Sequence, residues 1–408
     1  MKRVTKLSSQ NDNVDSLVIH YLRFPLAVLV VILHAEPHIV DWDITQMESC
    51  NIGANIAGTI MYSMSHVFTQ VAVPTFFLIS GFLFFKGLEK WDKFIWKRKI
   101  KSRFSSLIFP YIIWVSLFAL VNFTRHVMPT INASNWQDVM LGWFSEQGGF
   151  ANIYWSSSLW IAGDTNLWGQ KIIMSGPLPF HLWFLRDLIV SVFLTPIFYL
   201  FFRQKEKGKL SLLAIASVLI LALLCFTQTQ SPVRGISFST LFYFGLGAFL
   251  SINKFSLTND SRIIVFFSGL LSLGLFVALI PLNGAFTHWG TILFPFYAFS
   301  TILSLLTLSR KYVIFGGKNY LGSFESTSFF VYVIHPFFLS VAWTLLSKIS
   351  CLVFSVEDVT SLAFANQHPI VLLLMFFGKI LAALVVSIVI YKMIAHISPR
   401  LAKQICGR

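Results

Sequence analysis

His20–His38 reads HYLRFPLAVLVVILHAEPH, and this stretch decides the fold class. An unbroken apolar run, Phe24–Leu33, lies between Arg23 on one side and His34, Glu36 and His38 on the other. With its flanks it extends over Leu17–Val40, and roughly 20 mostly apolar residues suffice to cross about 30 Å of hydrocarbon as a helix. Lys2, Arg3 and Lys6 precede the run, as in a signal peptide. The run is nevertheless too long for a signal-peptide core, carries Arg23 and His34, and is followed by no small-residue cleavage site. It reads as a retained first transmembrane helix.

Nine more segments have the same character: Val67–Phe85, Phe104–Thr124, Leu182–Phe202, Leu210–Thr227, Ser237–Ile252, Ile263–Leu282, Thr291–Leu308, Thr327–Leu346 and Pro369–Met393. Composition agrees. The 408 residues are 56% hydrophobic and 12% charged, with a mean hydropathy of +0.72. Soluble domains carry about 25% charged residues, so a water-soluble globular protein is excluded. Backbone polar groups in lipid must be satisfied within the segment, and the alternation of a barrel strand is absent, so the spans are helices. The expected fold is all-α, a polytopic membrane protein of about ten transmembrane helices in a single domain over 1–408.

Orientation follows from the loops. With the N-terminus inside, the cytoplasmic segments hold 24 Lys and Arg and the outer segments four, which places both termini in the cytoplasm. The net charge of +14 is thus explained by basic cytoplasmic loops, the densest at 86–103, and nucleic acid is not an expected partner. The longest non-membrane stretch, 125–181, is expected outside and carries Trp136, Trp143, Trp155, Trp160 and Trp168. These rings can stack on sugars or settle at the membrane interface, and the interfacial reading is favoured. The four cysteines have no metal or redox spacing and the ten histidines are scattered, so no metal site is expected. Cys50 and Cys351 could both face outward; whether they pair is left open.

Ionisable groups inside spans are costly and become site hypotheses. Arg23 and His34 are eleven residues apart, close to three turns, so they share one face about 16 Å apart along the axis. Glu36 follows but faces away on an ideal helix. His66, His181 and His288 gather toward the outer ends, with Arg186 and Asp187 at the start of the fourth span and His335 near the middle of the ninth. Arg186 and Asp187 point about 100° apart on a helix, so different partners are expected for them. On the inner side Lys97, Arg98, Lys99, Lys101 and Arg103 form a basic run. It fits positive-inside topology and anionic lipid, or a phosphate-rich ligand held by charge-assisted bonds.

These residues resemble the acyltransferase-3 family of integral membrane acyltransferases, many of which acylate bacterial surface glycans. LRFPLAVLVVILH matches that family's first-helix signature of Arg or Lys, ten residues, His. VPTFFLISGFLFF (Val73–Phe85), the basic run into Arg103 and Pro110–Tyr111 with Trp114, HLWFLRDLIV (His181–Val190) and VYVIHP (Val331–Pro336) resemble four further motifs in order. Departures are the bulky Phe24–Pro25 after Arg23, Lys101 where Arg is common, and the expected absence of an appended esterase-like domain. The resemblance implies transfer of an acyl group, acetyl by default, from cytoplasmic acyl-CoA to a hydroxyl of an extracytoplasmic or lipid-linked glycan, in a bacterial cell membrane. It implies no permanently bound cofactor. Acyl-CoA would meet Arg98, Lys101 and Arg103 with its adenosine end and Arg23 with its pantetheine arm. His34 would act as general base or accept the acyl group, with Glu36 and Arg23 as possible support. Trp183, Arg186, Asp187 and His335 would line the acceptor path. The competing expectation is a transporter or flippase using buried Arg, His and Asp for an anionic solute. No inverted repeat supports it.

Overall fold

The computed structural model describes residues 2–36, 50–88, 91–132, 134–204, 210–258, 261–282, 284 and 287–407. The tail of the first expected span, with His38, lies outside these residues. The described chain is 77% helical.

Helix α1 spans Lys2–Leu33 and includes Pro25. It ends seven residues earlier than expected, with His34 in a turn. Glu36 precedes Pro37 in the sequence, and a residue before proline is pushed out of the helical region. Helix α2 (Ile52–Tyr62) opens on Asn51, whose side chain accepts from the Ala54 N–H at 2.8 Å. It runs through a π turn at Ser63–Val67 and a 3-10 turn into α3 (Ala72–Phe85), so the second span starts at Ile52 rather than Val67.

The basic run, expected as a loop, is helical from residue 93 on. Helix α4 (Lys93–Arg103) is capped by Asp92, which accepts from the Ile95 N–H at 2.7 Å, and a π turn joins it to α5 (Phe109–Asn122). The Trp-rich stretch, expected only as an extracytoplasmic segment, folds into α6 (Trp136–Glu146), α7 (Gly149–Trp155) and an antiparallel hairpin of β1 (Ser158–Thr165) and β2 (Lys171–Gly176). Asn166 makes the hairpin turn, its side-chain oxygen accepting from the N–H groups of Trp168 and Gln170, both at 2.9 Å, while Gly169 takes a φ of +73°. Several of the tryptophans are tied to the protein itself. Trp143 donates to Asn122 at 3.3 Å, Trp155 to the Arg234 carbonyl at 2.8 Å and Trp168 to Thr229 at 3.0 Å.

The fourth span is broken. Helices α8 (Trp183–Phe193) and α9 (Thr195–Phe202) meet at 54° beside Pro196, which lacks the N–H a straight helix requires. Helices α10 (Leu212–Phe226) and α11 (Phe238–Ile252) are fifteen residues each, about 22 Å. There follow α12 (Arg262–Leu279), α13 (His288–Ile314), α14 (Ser328–Phe354), α15 (Leu362–Gln367), α16 (Pro369–Ile397) and α17 (Pro399–Ile405). Among the described residues, each of the ten expected segments is helical over most of its length. Among the described residues seven helical runs are long and apolar enough to cross a membrane, eight with the bent pair. The expected ten crossings are not reached on that measure, because α10 and α11 are short. The four cysteines are free thiols.

The chain forms two compact units, Met1–Ile79 with Lys254–Met393, and Ser80–Asn253 with Ile394–Arg408. The core of the first unit gathers Phe24, Val31, Met61, Val331, Leu339 and Phe376 from α1, α2, α14 and α16. In the second unit Gly81 lets α3 and α11 touch backbone to backbone: a Cβ there would lie 2.0 Å from the Phe244 carbonyl oxygen. Gly81→Val is therefore expected to lower the thermal midpoint of the detergent-solubilised protein and its recovery from membranes. A wild-type midpoint in the variant would contradict this packing.

Candidate active site

The first unit carries a pair of histidines. His34, just past the end of α1, and His335, on α14 and fully buried, have ring centroids 4.9 Å apart and planes tilted by 57°. Each ring is fixed by its own segment. Nδ1 of His34 lies 2.9 Å from the Val30 carbonyl oxygen, and Nδ1 of His335 lies 2.6 Å from that of Tyr332. A carbonyl only accepts, so both Nδ1 atoms carry the proton and Nε2 is the basic nitrogen of each neutral ring.

A second contact joins the same two segments. Arg23 Nη1 donates to Glu325 Oε1, His20 Nδ1 lies 2.6 Å from Glu325 Oε2, and Phe24 packs on Phe324 with centroids 5.3 Å apart. Glu325 sits in the 3-10 turn Gly322–Thr327 that leads into α14. Residue numbers rise together along both segments, so they run parallel. Arg23 and His34, eleven residues apart, meet Glu325 and His335, ten residues apart. The Arg23–His34 stripe inferred from the sequence thus has a matching stripe on the neighbouring segment. Sequence reasoning missed Glu325, although its distance from His335 repeats the signature's spacing to within one residue.

Lys379 of α16 is 1% exposed and belongs to the same region. Its Nζ donates to the Glu36 carbonyl oxygen at 2.6 Å and stands 4.9 Å from the centroid of Trp343 on α14. Glu36 thus takes part through its backbone oxygen, and its residue is exposed. An open cavity of about 560 Å3 lies along the later part of α14, lined by Trp343, Ser347, Lys348, Glu357, Asp358 and Thr360 among others. Elsewhere in this unit Asp15, completely buried, accepts from Ser256 Oγ, Thr258 Oγ1 and the N–H groups of Leu257 and Thr258, with Arg310 Nη1 at 3.9 Å. Arg310, expected in a cytoplasmic loop, is buried within α13. Its partner Asp15 attracted no notice in the sequence.

His66 and His288 also belong to the first unit, whereas the residues expected to meet CoA phosphates, Arg98, Lys101 and Arg103, and the expected acceptor residues Trp183, Arg186 and Asp187 belong to the second. Arg186 and Asp187 bond to each other: Nε and Nη2 of Arg186 donate to Asp187 Oδ1 at 2.9 and 2.7 Å. The expectation of separate partners is corrected, because a long guanidinium arm can fold back over one residue and two buried charges lower their cost by meeting. Arg186 also donates to the carbonyls of Trp155 and Ser175, and Thr240 donates to Asp187 Oδ2 at 3.4 Å. This arrangement ties α8 to β2, α7 and α11. Trp183 lies beside Trp160 with centroids 6.4 Å apart and ring planes tilted by 56°. On α4, Arg98 and Lys101 are exposed on one face of the helix, three residues apart. Arg103 stands 6.0 Å from the Phe84 ring, and Lys99 donates to the Phe84 carbonyl oxygen.

A family model described as an acyltransferase domain matches residues 17–392, nearly the whole chain. No curated protein and no solved structure matches it.

Proposed function

Because the chain belongs to the acyltransferase-3 family of integral membrane acyltransferases, we propose that it moves an acyl group, acetyl first among them, from cytoplasmic acyl-CoA to a hydroxyl of an extracytoplasmic or lipid-linked glycan in a bacterial cell membrane. The observation that carries this reading is the His34–His335 pair, 4.9 Å between ring centroids, with Nε2 as the basic nitrogen on each ring. Nε2 of His34 takes the proton from the acceptor hydroxyl as that oxygen attacks the thioester carbonyl. The C–S bond then breaks, the acyl ester forms, and the proton leaves with the CoA thiol. His335 faces the same charge and steadies the imidazolium by its nearby neutral ring.

For the donor, the exposed Arg98 and Lys101 together with Arg103 offer charge-assisted bonds to the phosphates of CoA. Arg23 engages Glu325 through Nη1, and its 44% exposed side chain keeps further donors for the pantetheine arm. For the acceptor, the cavity beside Trp343 combines an aromatic face with the carboxylates of Glu357 and Asp358, a combination that engages the CH faces and hydroxyls of a sugar. In the second unit, Arg186 and Asp187 serve by holding α8.

The direct test is release of free CoA from acetyl-CoA and succinyl-CoA by the detergent-solubilised protein. Slow turnover of one donor is the expected result. If neither donor is bound or consumed, the donor assignment falls and transport of an anionic solute becomes the leading reading. His335→Gln keeps a polar side chain but no titratable ring. Its expected CoA release is lower by about ten- to a hundredfold, less than the roughly 10²- to 10⁴-fold a lost general base commands, as befits a residue that assists one. Turnover equal to wild type would remove His335 from the site.

A further inference from the structure

Lys379 has no part in the chemistry just described, and its burial asks for a reason. It is the eleventh residue of the 29-residue α16 and is 1% exposed, among the largest fully buried side chains of the molecule. An ammonium inside a membrane span is costly, and lysines near span ends normally extend their amines to the polar interface. Lys379 instead turns its amine inward to the Glu36 carbonyl oxygen at 2.6 Å.

That oxygen belongs to the segment where α1 gives out. The His34 backbone N–H reaches Val30 O at a long 3.3 Å, and the same oxygen also takes the His34 Nδ1–H at 2.9 Å. The Ala35 N–H has already shifted to Ile32 O at 3.0 Å, one residue short of the α-helical partner. His34 therefore stands on the last, loosened turn, where the helix's own ladder no longer dictates its place. Lys379 grips the chain two residues beyond. The same ammonium lies over Trp343, two turns past His335 on α14, at 4.9 Å. One side chain thus touches both the segment bearing His34 and the helix bearing His335.

We infer that Lys379 is a positioning residue that holds His34 at its separation from His335 by clamping the Glu36 carbonyl against α14. The inference rests on the acyltransferase reading for its effect on rate, and on geometry alone for its effect on His34. Lys379→Met keeps the length and apolar stem and removes the ammonium, whereas Lys379→Arg keeps the donor. Two quantities are read in wild type and both variants: kcat and KM for acetyl-CoA from CoA release, and the rate at which diethyl pyrocarbonate modifies His34, followed by peptide mass mapping.

With Lys379→Met, kcat is expected to fall by about 10- to 100-fold, the scale of a misplaced catalytic group, while KM for acetyl-CoA stays within about twofold. The His34 modification rate should shift several-fold, and Lys379→Arg should restore most of both quantities. A methionine variant with wild-type kcat and wild-type His34 reactivity overturns the inference, as does one in which only KM rises. If wild type consumes no acetyl-CoA, the functional reading fails, and the His34 modification rate alone still decides the role of Lys379. If the methionine variant is not recovered from membranes, Lys379→Gln, whose shorter uncharged side chain stops short of the Glu36 carbonyl, is read in the same two assays with the same criteria.

Discussion

His34→Ala should abolish acyl-CoA-dependent release of CoA, by about 10²- to 10⁴-fold, which is the range a lost general base commands. The amount of protein recovered from membranes and its thermal midpoint should change little. His34 stands on the loosened last turn at the end of α1 and is only half-buried, so its removal leaves the apolar core around Val31 and Phe376 intact. The His34 side chain bonds to the Val30 carbonyl within its own segment. A fully active alanine variant at wild-type protein level would end the catalytic role assigned to this residue.

The second large effect concerns stability. Arg186→Ala should destabilise the second unit by about 3–5 kcal/mol, the cost of leaving one member of a buried pair uncompensated. The Arg186 and Asp187 side chains are 3% and 2% exposed, so little solvent screening softens the loss. Arg186 also satisfies the carbonyls of Trp155 and Ser175, which would be left without that donor. A double replacement, Arg186→Met with Asp187→Leu, removes both charges together and is expected to recover part of the loss. Thermal unfolding of the solubilised proteins measures both. If the single variant melts with wild type, the pair is not the anchor described here; if the double melts no higher than the single, charge isolation is not the cause of the loss.

Much of the fold was legible because lipid imposes few choices. Among the described residues each of the ten apolar segments is mostly helical, since a buried backbone must bond to itself. Span length was harder to read. The early end of α1 depends on Pro37, and the break between α8 and α9 on Pro196, and both prolines lie within runs that hydropathy alone treats as continuous. The hairpin of β1 and β2 escaped notice because its signal is a single Asn166–Gly169 turn between two short strands. In the candidate site, Arg23 and His34 declared themselves as ionisable groups bounding an apolar run at a helical interval. Glu325 stayed hidden in a polar stretch, GSFEST, where a carboxylate costs nothing and draws no attention. Asp15 was hidden for the same reason, lying ahead of the apolar run. The meeting of Arg186 with Asp187 could not be read from helical angles, which describe Cβ directions and not where a long guanidinium arm comes to rest.

The two contacts between α1 and the α14 segment, Arg23 with Glu325 and His34 with His335, make the pair of segments behave like two meshed racks. Single residues between the contacts can be exchanged for others of similar bulk without disturbing the mesh. A one-residue insertion or deletion is different in kind. It turns everything beyond it by about 100° and slides it by about 1.5 Å, so that one contact can be kept only by losing the other. Across relatives of this chain, variation between these contacts should therefore appear as changes of residue identity, and gaps should fall elsewhere.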